Sequence, residues 1–78
     1  MDWNAIVAAN VRRLRRERGL TQEQLAHASE LDLTYIGGIE RGRRNPSVKA
    51  LGRIADALGE DLPALFAVSV PVGSARTD

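Results

Sequence analysis

Between Thr21 and Ser47 the chain places two short helices around a tight turn and follows them with a loop dense in arginine. Thr21 has the character of an N-cap. Gln24 stands three residues later, the spacing of a capping box that satisfies two orphan amides at a helix start. Leu25 and Ala26 supply an apolar face. The pattern breaks at Ser29–Glu30–Leu31, with Leu31 placed to plug the space between two helices. Asp32 caps a second helix, whose Ile36 and Ile39 lie three residues apart on one side. Helices are predicted over Gln22–Ser29 and Leu33–Arg41, the latter ended by Gly42.

The rest of the chain also reads as helix. Trp3, Val7, Val11 and Leu14 recur at helical spacing, with Ile6 and Ala8 widening the stripe and Trp3 expected to lie over the edge of the core. Gly19 follows a basic last turn in the position where helices commonly stop. Ser47 is the expected cap of an amphipathic helix carrying Val48, Leu51, Ile54, Ala55 and Leu58, stopped by Gly59. Asp61–Leu62–Pro63 then starts a fifth, short helix ending near Phe66. Val68–Val72 is rich in valine but contains Pro71 and is too short to define a strand. The expected fold class is all-α, a compact five-helix domain over residues 1–67. Residues 68–78 form a C-terminal tail, partly disordered and frayed beyond about Pro71.

Size and composition exclude several functions. With 78 residues the chain supports one domain, near the lower limit for a self-sufficient core. It has no cysteine, hence no disulfide and no thiolate metal site. The start, MDWNAIVAANVRR, is not a secretory signal, and no apolar run approaches the roughly 20 residues that span a bilayer. A cytoplasmic protein with no membrane partner is the expectation. The lone His27 has no carboxylate or thiol at ligand spacing and reads as a solvated surface residue. No metal, cofactor, small-molecule ligand or enzymatic activity is expected.

The net charge of +1 conceals an uneven distribution. Nine of the eleven basic residues fall in two windows, Arg12–Arg18 and Arg41–Lys49. Phosphates sense that local potential rather than the total. A short helix pair with basic groups at its ends fits a DNA major groove.

The segments RRLRRERGLTQEQLA, LDLTYIGGIERGRRNPS and LGRIADALG together resemble the λ-repressor-like helix-turn-helix regulators of the XRE/Cro type. TYIGGIERGRRN further resembles the controller proteins of restriction–modification systems. The resemblance spans about Val7 to Phe66. It implies a homodimer on double-stranded DNA, with the third helix in the major groove. By position it assigns Leu33, Thr34 and Gly38 to base edges. Gln22 matches a backbone contact, and Arg41, Arg43, Arg44, Asn45 and Ser47 match a loop along the phosphates. Arg15 and Glu40 match a pair that ties the first helix to the third. Three features depart from the pattern. Glu30 stands where relatives often have a turn glycine, Leu33 stands where many controllers carry arginine, and Gly37–Gly38 are adjacent inside a short helix.

Leu33 offers a methyl contact to thymine but no bidentate bond to guanine, which leaves Thr34 as the polar reader. Arg44 is expected to anchor on a phosphate and Arg43 either to join it there or to supply a base contact; Tyr35 is expected to reach a phosphate from the N-terminal end of its helix, the alternative being a ring packed beside Ile39. Leu62, Leu65 and Phe66, with Val68 beside them, offer apolar surface for a twofold contact that spaces two recognition helices about 34 Å apart. The expectation is an autoregulatory regulator that binds inverted-repeat operators. The competing reading is a protein-interaction module, such as an antitoxin or a partner-tethering domain.

Overall fold

A computed structural model of the chain describes residues 1–68. Four α-helices occupy Trp3–Glu17 (α1), Gln22–Ser29 (α2), Leu33–Glu40 (α3) and Val48–Leu58 (α4), followed by a 3₁₀ turn over Leu62–Phe66. The described residues contain no strand. The expected tail beyond Val68, including Pro71, lies outside the described residues.

Each α-helix starts on a side-chain cap. Asp2 accepts from the Ala5 amide, Thr21 and Gln24 form the reciprocal box, Asp32 accepts from the Thr34 amide and Ser47 from the Ala50 amide. The terminations also share one device. Gly19, Glu30, Gly42 and Gly59 take positive φ. The next amide in each case reaches back five residues to a helix carbonyl, as Leu20 does to Arg15 and Leu31 to Ala26. Turning the chain this way at every helix end is what folds so few residues around one core. Leu20 and Leu31, just past two of these stops, pack against that core.

The core is Val7, Val11 and Leu14 of α1, Leu25 of α2, Ile36 and Ile39 of α3, Leu51, Ile54 and Leu58 of α4, and Leu65. Trp3 lies at the edge of this core, as expected. It remains 51% exposed and meets Phe66 edge to face, with ring centroids 6.2 Å apart.

Two expectations are corrected. The third helix stops at Glu40, with Arg41 as its C-cap. The fifth element is a five-residue 3₁₀ turn, not an α-helix. Asp61 makes no side-chain cap there, and Pro63 has no amide to donate. Asn10, buried on α1, donates its side-chain amide to the Leu65 and Ala67 carbonyls, both at 2.9 Å. Those carbonyls are thereby satisfied without a continuing helix.

Candidate nucleic-acid interface

The orientation of α3 is set from beneath by one acid. Glu40, at the end of α3, is 2% exposed, and a carboxylate so far from water requires partners for both oxygens. Arg15 of α1 supplies a fork, Nε donating to Oε2 at 2.6 Å and Nη2 to Oε1 at 3.0 Å. Gln22 Nε2 donates to Oε1 at 3.0 Å. The third Arg15 nitrogen donates to the Leu20 carbonyl at 2.8 Å, so the guanidinium is fixed in the loop before α2 as well. Arg12 donates to the Glu40 backbone carbonyl. No buried side-chain nitrogen or oxygen among the described residues lacks a partner. Glu40 therefore locks α1, α2 and α3 together through one satisfied cluster.

At the other end of α3, Leu33 and Thr34 face solvent, Leu33 being 42% exposed. Arg41, Arg43, Arg44 and Asn45 follow, all exposed. Ser47 is exposed too, with its hydroxyl engaged in capping α4. Tyr35 is half-buried. Its ring packs against the core on one side and carries the Arg44 guanidinium on the other, 5.7 Å from the ring centroid. The turn between α2 and α3 accommodates Glu30 at φ 58°, ψ 38°, the left-handed conformation for which relatives often use glycine.

Two site expectations change on this geometry and a third is narrowed. Gly38 is buried, with the stem of Arg44 lying across it, so it presents no surface to a base. Gln22 commits one of its two side-chain N–H groups to Glu40; the second, with its backbone amide in the first turn of α2, is what it leaves for a phosphate. Leu65 is 0% exposed inside the core, where it cannot form an intermolecular contact, while Leu62 and Phe66 stay partly exposed. Arg15 and Glu40 form the pair that the resemblance implied. Arg12 and Asn10 were not singled out beforehand. Asn10 had a visible signal, a polar residue set among Val7, Val11 and Leu14, since an amide at a core position has to find partners.

A helix-turn-helix family model matches residues 11–65. The chain belongs to this helix-turn-helix family. It is 49% identical over 59 residues to the HTH-type transcriptional regulator y4dJ of Sinorhizobium fredii, covering 76% of this chain and 77% of that relative. The crystal structure of the restriction–modification controller protein C.AhdI from Aeromonas hydrophila superposes with a TM-score of 0.79 at 41% identity, over 81% of this chain and 96% of that one. The controller protein C.Esp1396I, solved as a tetramer with its natural 35-base-pair operator, gives a TM-score of 0.76 at 41% identity, over 82% of this chain and 84% of that one.

Proposed function

We propose that the chain is a sequence-specific double-stranded DNA-binding transcriptional regulator of the controller type, working as a homodimer on an inverted-repeat operator with α3 in the major groove. The observation that carries this reading is the combination at α3. One end is held by the buried Arg15–Glu40 pair, the other is open at Thr34, and exposed Arg41, Arg43 and Arg44 follow the helix. A rigidly held helix with cations at its C-terminal rim has the geometry of groove entry with phosphate anchoring on either side. The operator-bound structure of C.Esp1396I supports extending DNA binding to this chain.

Thr34 and the methyl groups of Leu33 read base edges. Arg41, Arg43, Arg44 and Asn45 meet phosphates, joined by Tyr35, the Ser47 corner and the backbone start of α2 at Gln22. With so few direct readers, sequence-dependent deformation of the DNA supplies part of the selectivity. Leu62 and Phe66 form the twofold contact with Val68, and exposed Trp3, packed on the edge of Phe66, extends it. Regulation is by occupancy in the cytoplasm, with no cofactor and no catalytic step. A dimer overlapping its own promoter blocks polymerase, and one placed upstream recruits it.

The direct test is fluorescence anisotropy with DNA from upstream of the protein's own gene, against scrambled duplex, at two salt concentrations. Tight, competitor-resistant binding to the upstream fragment is expected. Equal binding to both duplexes, vanishing with salt, would refute an autoregulatory operator.

A further inference from the structure

Gly37 and Gly38 stand side by side in the eight-residue α3, although glycine is the poorest helix former after proline. Neither position is open space. A Cβ built on Gly38 would lie 2.6 Å from Arg44 Cγ, 3.3 Å from its Nε and 3.5 Å from its Cδ. On Gly37 it would lie 3.1 Å from Arg41 Nη1. The two cases differ in kind. At Gly37 the neighbour is the movable tip of an arginine, which shifts easily. At Gly38 it is Cγ, near the root of the Arg44 side chain, which clears a Cβ only by a rotation about χ1 that redirects everything beyond it.

The loop is arranged to start that path in place. Gly42 turns the chain at φ +71°, and the Arg43 amide donates to the Gly38 carbonyl at 2.9 Å. Arg44 thus leaves the backbone beside Gly38, crosses α3 there and ends against the Tyr35 ring. Thr34 lies one helical turn before Gly38 on the same face. We propose that Gly38 is a positioning residue. Its missing side chain opens a channel across α3, so that Arg44 serves as the side chain position 38 lacks and is carried, already ordered, to the DNA-facing surface beside Thr34. Ordering a long arginine before binding removes part of the entropy its immobilisation would otherwise cost. The inference rests on the DNA-binding reading and explains why a poor helix former occupies position 38 of the recognition helix.

The test has one arm without DNA and one with it. In the free wild-type protein, nuclear magnetic resonance should show ring-current shifts of the Arg44 δ and ε protons, abolished by Tyr35→Leu and by Gly38→Ala. Binding is then measured by anisotropy on a duplex that the wild-type protein enriches from a randomised pool. Gly38→Ala should bind about tenfold more weakly, close to Arg44→Ala, and the double variant no more than about twofold below Arg44→Ala. Gly37→Ala, the same chemical change one residue away, should stay within about threefold of wild type. Gly38→Ala should melt at or above the wild-type temperature, since alanine favours the helix and the nearest displaced atoms belong to a surface arginine.

Arg44 protons at random-coil positions in the wild type would overturn the proposal. So would losses that multiply in the double variant, unchanged binding by Gly38→Ala, or a Gly38→Ala melting point well below wild type. If the wild type enriches no duplex at all, the DNA-binding reading fails and takes the use of the channel with it. The resonance arm reports separately whether the channel itself exists.

Discussion

Replacing Arg15 with methionine keeps much of the side-chain volume and removes the charge that compensates Glu40. The carboxylate it abandons is 2% exposed and loses two of its three side-chain donors, leaving only Gln22. Breaking a buried pair by deleting one partner costs about 3–5 kcal/mol. A chain of this size holds only about 4–12 kcal/mol in all. With about 4–8 °C of melting temperature per kcal/mol for a small domain, the melt should fall by at least about 12 °C. Thermal unfolding followed by far-ultraviolet circular dichroism reads this directly. Arg15→Met/Glu40→Leu removes both charges, and most of the lost stability should return. Its DNA affinity should not return, because the fork that sets the angle of α3 is gone. A single variant that melts within about 4 °C of wild type, or a double variant less stable than the single, would refute the compensated buried pair.

Glu30→Gly should raise the melting temperature by roughly 2–6 °C, because the left-handed conformation costs a residue with a Cβ about 1–2 kcal/mol and glycine's greater unfolded freedom offsets only part of it. Leu65→Asp should unfold the domain, whereas Leu62→Asp or Phe66→Asp should leave it folded and convert dimer to monomer in sedimentation velocity; a folded Leu65→Asp would contradict the assigned core. Thr34→Ala should relax preference at one operator position by about 1–3 kcal/mol while leaving other positions unchanged, as measured by anisotropy across single-base operator variants.

Local chemistry made most of the helix boundaries readable in advance. The Thr21–Gln24 box, the Ser47 cap and the stops at Gly19 and Gly59 are short-range signals, and each works in the fold as its spacing suggests. What the pattern left open depends on partners distant in sequence. Arg15 and Glu40 are separated by 25 residues, so their pairing came from the family resemblance, not from periodicity. Asn10 stands at a core position and so must find partners, but the carbonyls it bonds lie 55 and 57 residues away, and nothing near it says which they are. Apolar content alone also could not distinguish Leu65 in the core from Leu62 and Phe66 at its edge, since all three are large apolar residues within one five-residue turn. The case of Gly38 is similar. Assigning it a base contact by position overlooks a neighbour, Arg44, that reaches it only after the chain has turned at Gly42.

The division of labour among the arginines is decided by salt. Each phosphate neutralised on duplex DNA contributes a slope of about −0.9 to the dependence of log affinity on log salt. If Arg44 anchors one phosphate per protomer, Arg44→Ala should flatten the slope of the dimer by about 1.8 and weaken all sequences alike. Across a fourfold rise in salt, that is roughly a twelvefold difference in how much binding survives, well within the range of an anisotropy titration. Arg43→Ala is the internal comparison, because Arg43 is equally exposed and its backbone amide already closes the turn onto Gly38. An unchanged slope together with lost preference at one base pair would move Arg44 from the phosphates to a base edge. The channel over Gly38 makes that outcome physically accessible: it carries the guanidinium across α3 to the Tyr35 ring, and Thr34, the expected polar reader, lies one turn before Gly38 on the same helix face.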